Sequence, residues 1–273
     1  TMVVGNSEKV LPAVAPLGEP QTIDISIPEP AAPEGEVLPP ATAADWAKGQ
    51  ALLAAAQKAT FPGQASDLKD LTWDESGTLK VQGQELSLGM KSVRVLETDC
   101  TWTEQRMPFG VVASADCKGV GWANVPGRGV QDLPPAQLEK TKKEDTKDIL
   151  RILRDPGALK ARALPGGLPL PGAAEQMAPA VAVESEVIKE WRILFDPKSG
   201  RIAAIQHRGQ PPTGGAPATL TDTFGDYRML GNVVSWPHEH EVLIDGVPFL
   251  SMKITEIKVN TAPPATIFEK PKP

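Results

Sequence analysis

Residues 190–259 read as a series of antiparallel strands, and this stretch limits the folds that the chain can adopt. Trp191, Ile193 and Phe195 lie at alternate positions, as expected for one face of a strand. Further along, two runs of strand-like composition flank Asp245-Gly246, a dipeptide typical of a two-residue hairpin turn. A sheet of this kind usually buries one face and exposes the other. The sequence therefore predicts an α+β fold in which an antiparallel sheet dominates.

Helical patterns accompany an earlier group of strands. Thr42 is a candidate N-cap for a helix with apolar residues at helical spacing. Strand-like runs fill residues 71–125, and a charged helix is predicted between residues 134 and 154. Residues 163–180 are rich in Pro, Ala and Gly and show no period, so we interpret them as an apolar loop. Such a loop either packs over the open face of the sheet or remains mobile.

Composition disfavours two classes of partner. The formal net charge is −6 and the Lys and Arg residues are scattered, which disfavours nucleic-acid binding. No run approaches the roughly 18 apolar residues of a membrane span, and no secretory signal is visible. The chain opens with Thr1-Met2, and we interpret it as a fragment of a longer precursor that carries any targeting signal.

Cys100 and Cys117 are the two cysteines of the chain. Their midpoint falls between Pro108 and Phe109, so a hairpin that turns there places them opposite one another on paired strands. In an oxidising compartment they would form a disulfide that closes a loop of about 18 residues and stabilises the fold by about 3 kcal/mol in the chain-entropy model. The alternatives are two buried thiols in a reduced protein, or a register in which the side chains miss. Zinc binding by this pair lacks further ligands.

His238-Glu-His-Glu241 is the cluster that most resembles a metal site. On a strand, His238 and His240 share one face, but a third histidine ligand, His207, would have to come from another strand. We therefore favour a solvated surface strand. The chain contains no G-x-S-x-G motif and no phosphate-binding loop. The sequence thus predicts no catalytic residue, no metal ligand and no cofactor in this chain.

The N-terminal segment resembles the end of a peptidase domain. Met2 to Val10, Leu17-Gly18 and Ile23-Asp-Ile25 resemble the closing strand, helix and strand of the insulinase/pitrilysin-like zinc metallopeptidases. That family binds zinc and activates water through an H-x-x-E-H motif, which does not occur here. The resemblance implies that zinc belongs to a missing part of the protein and that this chain alone does not hydrolyse peptides. The alternative is an arbitrary strand–helix–strand segment.

A second resemblance covers most of residues 43–271. The order and spacing of its short motifs resemble the lipoprotein-carrier-like (LolA/LolB-like) domains of bacterial envelopes. These motifs are Met107-Pro-Phe-Gly110, Gly119-Val-Gly-Trp122, Pro126-Gly127, Leu133 to Leu138, Leu194 to Gly200, Phe224 to Arg228, Leu230-Gly231 with Pro237, Asp245-Gly246, Val259-Asn260 and Phe268 to Pro271. The chain departs from the pattern at Cys117-Lys118-Gly119, where an acidic residue usually precedes Gly, and in the longer segment 163–180. The resemblance implies a curved half-barrel sheet, covered by helices, whose apolar concavity accepts acyl chains.

Five aromatic residues are candidates for lining that concavity. Ordinary core packing is the default interpretation for large aromatic residues in strands, and an apolar binding site is what the resemblance adds. The candidates are Trp102, Phe109, Trp122, Trp191 and Phe224.

The sequence predicts three segments: a peptidase-like tail at residues 1–27, a Pro-rich linker at 28–42 and a carrier-like half-barrel at 43–273. We expect a non-catalytic accessory domain of a zinc-dependent peptidase, located in the bacterial periplasm or cell envelope. Its expected partners are the peptidase domain of the parent and a lipid-like, lipoprotein-like or other hydrophobic ligand, with no nucleic acid and no membrane span. The alternative is a purely structural or substrate-presenting module that binds no ligand.

Overall fold

The computed structural model describes residues 38–81, 83–186 and 188–272. In this part of the chain the helices are α1 (Ala43–Thr60), α2 (Pro135–Asp145) and α3 (Ile149–Arg154). The strands are β1 (Asp70–Val81), β2 (Gln84–Val95), β3 (Cys100–Met107), β4 (Gly110–Cys117), β5 (Val120–Val125), β6 (Gly129–Asp132), β7 (Ala161–Ala163), β8 (Leu168–Leu170), β9 (Ala173–Ala178), β10 (Ala180–Val183), β11 (Lys189–Phe195), β12 (Ile202–Gly209), β13 (Ala218–Leu230), β14 (Val234–Ile244) and β15 (Val247–Val259). The predicted tail, residues 1–27, and most of the predicted linker lie outside the described residues.

Thirteen of these strands form one open, curled antiparallel sheet. Their order is β6-β5-β4-β3-β2-β1-β15-β14-β13-β12-β11-β10-β7, and β8 and β9 form a separate two-stranded ribbon. Two meanders, β1–β6 and β10–β15, therefore meet where the first strand pairs with the last. The predicted α+β class, with a dominant antiparallel sheet and few helices, is confirmed.

The predicted hairpin at Asp245-Gly246 joins β14 to β15. Ile244 pairs with Val247 across the turn, and the two turn residues have φ angles of 48° and 79°. A two-residue turn with positive φ at both positions matches the twist of the strands it joins. The Asp245 carboxylate also accepts a hydrogen bond of 2.8 Å from the backbone N–H of Thr219, which ties the turn to β13.

The sheet has two different faces. We call the face that carries α1 and α3 the helix face, and the opposite one the outer face. Ile193 and Phe195 are buried on the helix face, in the same cluster as Leu53 of α1 and Leu153 of α3. Leu194, which lies between them in sequence, packs in a separate cluster on the outer face. The remaining buried residues of the helix-face core are Ala56, Phe61, Leu68, Leu71, Ile149, Leu150, Ile152, Ala161, Val181, Val183, Trp191, Ile202, Ile205, Val234 and Trp236.

A buried ion pair positions α3 on the sheet. Arg94 of β2 is 7% exposed, and its Nη1 lies 2.7 Å from the carboxylate of Asp148. The other oxygen of Asp148 caps α3 by accepting hydrogen bonds from the backbone N–H groups of Leu150 and Arg151, at 2.8 and 3.3 Å. Because one carboxylate serves both the cap and the ion pair, the start of α3 is fixed over β2.

The interpretation of residues 163–180 as a loop without secondary structure is wrong. This segment contains β8 and β9, which pair with each other. Leu168 and Leu170 of this ribbon pack against Leu194 and Ala204 on the outer face, so of the two predicted alternatives, packing on the sheet is the one observed. The strands are short and interrupted by Pro and Gly, which is why they show no alternation of apolar and polar residues.

The middle of the outer face is polar. Asp74 forms ion pairs with Lys91 and Arg106, and Glu239 forms one with Lys253. Such cross-strand pairs of opposite charge are typical of a sheet face in water. Apolar parts of the outer face lie on either side of this strip, beneath the β8–β9 ribbon and across β3 to β5.

Gly49 allows α1 to approach the edge strand β7. A Cβ atom built at Gly49 would lie 2.3 Å from the backbone oxygen of Ala161 and 2.9 Å from the backbone nitrogen of Ala163. Both distances are far shorter than van der Waals contact, and backbone atoms cannot move aside as the end of a flexible side chain can. Glycine is required here even though it has a low helix propensity.

We expect Gly49→Ala to lower the melting temperature, although helix propensity alone would raise stability by about 1 kcal/mol. The added methyl group must displace α1 from β7 and disturb the core beneath it. Ala54→Gly, at an exposed position of the same helix, measures the propensity effect separately. Thermal unfolding followed by circular dichroism compares the two variants. A melting temperature of Gly49→Ala equal to or above that of the wild type would contradict the close approach.

Candidate ligand-binding groove

A largely apolar groove lies on the outer face, between strands β3 to β5 and the C-terminal segment, residues 261–272. Its volume is about 580 Å³, within the range of about 300–1,000 Å³ that is usual for small-molecule sites. The sheet contributes one wall and the C-terminal segment the other. The apolar residues that line the groove include Val95, Cys100, Cys117, Val120, Trp122, Pro263, Ala265 and Phe268.

The strand register places small and large side chains side by side on the outer face, next to the groove. Ala115 of β4 pairs with Trp102 of β3 on one side and with Trp122 of β5 on the other. Directly paired residues share a face, so the small Ala115 separates two large indoles. Trp122 is 5% exposed and Ala115 is 2% exposed. Of these three residues, Trp122 is the one that lines the groove.

The C-terminal segment is held on the outer face at three places. Asp70 accepts hydrogen bonds from the backbone N–H groups of Thr261 and Ala262, at 2.7 and 3.0 Å. The indole N–H of Trp122 donates to the backbone oxygen of Phe268 at 2.9 Å. Lys270 forms an ion pair of 2.8 Å with Asp132 at the end of β6. The segment between these contacts lies over the groove.

A disulfide joins Cys100 and Cys117 next to the groove. The two residues pair directly across β3 and β4, and Met107 pairs with Gly110 at the turn. The predicted position of the hairpin turn, at Pro108-Phe109, is therefore confirmed. In the chain-entropy model a cross-link of this span stabilises the fold by about 3 kcal/mol. It also holds together the two strands that carry Trp102 and Ala115.

The structure does not bring the five predicted aromatic residues together. Trp122 lines the groove, and Trp102 lies on the same face beyond Ala115. Phe109 is at the tip of the β3–β4 hairpin with 67% of its surface exposed, so it lines no cavity. Trp191 is 4% exposed in the core of the helix face. Phe224 stacks on His240, with ring centroids 5.5 Å apart.

The concavity expected beneath the helices is occupied by side chains of the core. Leu53, Phe195 and Trp236, which are among its members, are 0%, 1% and 7% exposed. These side chains fill the centre of that face. The sequence identified the aromatic residues of the strands but not the face to which each one points. The apolar groove is therefore on the side of the sheet opposite to the one predicted.

A polar cluster lies on the helix face of β1, β13 and β14. The Nε2 atom of His240 is 3.2 Å from the carboxylate of Asp222. Glu75 is 7% exposed, and the indole N–H of Trp73 points to its carboxylate at 3.4 Å. Burial raises the pKa of Glu75, and the hydrogen bond from Trp73 and the electrostatic effect of His240 lower it to a smaller extent. The net effect is that Glu75 is harder to ionise than an ordinary glutamate.

The histidines that were considered as metal ligands lie apart. The Nδ1–H of His238 donates a hydrogen bond of 3.0 Å to the backbone oxygen of Trp236, two residues earlier in the sequence. His240 contacts Asp222, and the Nε2 atom of His207 lies 2.8 Å from the Nζ of Lys147. Among the described residues, no three His, Cys, Asp or Glu side chains are placed to hold one metal ion.

Sequence reasoning missed the residues of the C-terminal wall, Pro263 and Ala265. Phe268 was recognised only as part of a motif. A short segment of this kind has no periodicity that would reveal which surface it covers.

None of the helices in the described residues is long and apolar enough to cross a membrane.

The comparisons with known proteins concern the fold. No family model and no curated protein matches the chain. A DUF1329 family protein from Desulfovibrio piger is similar with a TM-score of 0.56 and 8% identity, over 82% of this chain and 97% of that one. A domain described as an outer membrane lipoprotein-sorting protein, from Vibrio parahaemolyticus, is similar with a TM-score of 0.49 and 10% identity. The match covers 81% of this chain and 96% of that one. A LolA superfamily protein from Nitrosomonas europaea is similar with a TM-score of 0.48 and 11% identity. The match covers 81% of this chain and 97% of that one.

The Desulfovibrio structure shows that the chain shares its fold, and at this identity it shows the fold alone. The TM-scores of the other two structures lie below 0.5, and no conclusion is based on them. None of the three is described as a peptidase.

The indole hydrogen bond of Trp122 should govern the opening of the C-terminal segment. Trp122→Phe keeps the ring but removes the donor to Phe268, a loss of about 1 kcal/mol. We expect amide hydrogen exchange at Ile267 and Glu269 to become about fivefold faster. Trp102→Phe is the control on the same face of the sheet. Unchanged exchange in Trp122→Phe would show that the bond does not hold the segment.

Glu75→Gln should stabilise the protein in a pH-dependent manner. The pKa of Glu75 is raised in the folded state, so its ionisation opposes folding. This penalty is absent below the ordinary pKa of about 4.5, where the group is protonated in both states, and fully present above the raised pKa. The variant should therefore melt higher than the wild type at about pH 7.5 and equally at about pH 4.

Glu85→Gln is the matched control, because the side chain of Glu85 is 62% exposed in an ion pair with Lys80. Melting temperatures of both variants across this pH range provide the measurement. An equal gain at both pH values, or a loss near neutrality, would contradict a burial penalty at Glu75.

Proposed function

We propose that the described domain binds the acyl chain of a lipid-like ligand in the outer-face groove and is not itself a catalyst. The observation that supports this is the groove of about 580 Å³ whose lining is mostly apolar and whose outer wall is a peripheral chain segment. An apolar chain gains about 0.8 kcal/mol for each methylene that it buries. The lipoprotein-carrier-like motifs of residues 43–271 and the shared fold agree with a ligand of this class.

A place in the bacterial envelope is part of this proposal. The Cys100–Cys117 disulfide supports an oxidising compartment such as the periplasm, because disulfides persist there and are rare in the cytosol.

We further propose that the chain belongs to a parent protein with a peptidase-like domain, which it serves as a non-catalytic accessory. Support comes from the resemblance of residues 1–27 to the end of such a domain. On this proposal residues 28–42 form the linker, residues 43–273 form the accessory domain, and zinc is held by the parent only. An upstream coding sequence without an insulinase-like domain would refute the assignment.

One observation favours the alternative of a purely structural or substrate-presenting module. The helix face, where a carrier of this architecture was expected to hold its ligand, is packed with side chains. On that alternative the groove is a consequence of how the C-terminal segment packs, and it binds no amphiphile. Ligand-binding measurements distinguish the two functions directly.

Affinity for uncharged amphiphiles should rise with chain length. Octyl, decyl and dodecyl maltoside, each below its micelle concentration, should bind about fourfold more tightly for each added methylene until the groove is full. Isothermal titration calorimetry gives the dissociation constants.

Ala265→Trp should abolish this binding, because Ala265 lines the groove and a large side chain there fills it. Thr266→Trp places the same side chain on the next residue, which does not line the groove, and should bind as the wild type does. Absence of maltoside binding to the wild type, or equal binding by both variants, would favour the purely structural module.

A further inference from the structure

The mouth of the groove carries four charged side chains: Lys118, Asp132, Glu269 and Lys270. Lys270 and Asp132 lie 2.8 Å apart and neutralise each other. Lys118 and Glu269 are both exposed, and the described part of the chain provides no ion-pair partner for either. An apolar groove therefore opens between one unpaired cation and one unpaired anion.

These two charges belong to opposite walls. Lys118 lies in the turn between β4 and β5, directly after the disulfide-bonded Cys117. Glu269 follows Phe268, whose backbone oxygen accepts the hydrogen bond of Trp122, and so belongs to the C-terminal wall. A ligand that contacts both side chains would bridge the sheet and the C-terminal segment.

The charge arrangement discriminates between headgroups. An anionic headgroup is attracted by Lys118 and repelled by Glu269. A cationic headgroup is repelled by Lys118 and attracted by Glu269. In both cases the two effects oppose each other, so neither headgroup gains much binding free energy from the two charges together. A headgroup that carries both charges can place each one beside its opposite. Specificity of this kind needs repulsion of the wrong ligand as well as attraction of the right one.

We propose that the groove selects a single-chain amphiphile with a zwitterionic phosphate–ammonium headgroup, a lysophospholipid in chemical class. The phosphate lies beside Lys118 and the ammonium beside Glu269. This inference rests on the proposed function, because it assigns the headgroup of the ligand whose chain fills the groove.

The test compares amphiphiles that share a dodecyl chain and differ in headgroup. The probes are dodecylphosphocholine (zwitterionic), dodecyl sulfate (anionic), dodecyltrimethylammonium (cationic) and dodecyl maltoside (uncharged), all below their micelle concentrations and at low salt. With the wild type, dodecylphosphocholine should bind about two- to fivefold more tightly than either charged probe, as expected for exposed charge pairs. The difference should shrink at high salt.

Charge reversal makes the test specific to the two residues. Lys118→Glu leaves two unpaired anions at the mouth and should move the preference to dodecyltrimethylammonium. Glu269→Lys leaves two unpaired cations there and should move the preference to dodecyl sulfate. The double variant exchanges the two charges and should again prefer the zwitterion. Dodecyl maltoside should bind all four proteins equally, which shows that the groove itself is intact.

The outcomes separate this inference from the proposed function. If the maltoside binds but the wild type shows no preference for the zwitterion, or the reversals do not change the preference, the headgroup assignment is wrong and the groove remains a chain-binding site. If no dodecyl probe binds, the proposed function itself fails.

Discussion

The pairing of the first strand with the last is the contact on which the rest of the structure depends. Leu71 of β1 pairs with Val259 of β15, and the ladder continues as far as Leu79 and Leu250. Without this ladder the chain would be two separate meanders, each with one more exposed edge. Asp70, at the start of β1, also accepts the hydrogen bonds that turn the chain at Thr261 onto the outer face. The same junction therefore joins the two halves of the sheet and places the C-terminal wall of the groove.

The sidedness of the sheet then decides where a ligand can bind. The helices α1 and α3 cover the helix face, and their leucines and isoleucines fill the space above β10 to β14. On the outer face, a strip of ion pairs around Asp74 keeps the middle of the sheet hydrated. The area next to this strip, at the disulfide and β5, carries apolar side chains such as Val120 and Trp122, with charged side chains at its rim. The C-terminal segment covers it only partly, which leaves a groove rather than a core.

Local sequence patterns predicted the elements but not their environment. Alternation around Trp191 and the Asp245-Gly246 turn identified strands and a hairpin, because both signals depend on a few neighbouring residues. The position of the turn at Pro108-Phe109 followed from the spacing of Cys100 and Cys117. Which face each aromatic residue occupies depends on which elements pack there, and that is set by contacts over long sequence separations. For that reason the same kind of pattern is found at Trp122, which lines the outer-face groove, and at Trp191, which packs in the core of the helix face.

The two walls of the groove differ in how firmly they are held, and this difference bears on how a ligand enters. The sheet wall is held by continuous ladders and by the Cys100–Cys117 disulfide. Beyond Thr261, the contacts that hold the C-terminal wall include one indole hydrogen bond and one exposed ion pair, which together contribute about 1–2 kcal/mol. Segments held this weakly open locally without unfolding of the remainder. The C-terminal segment can therefore move without the rest of the sheet, and a ligand that contacts both walls would hold it in place.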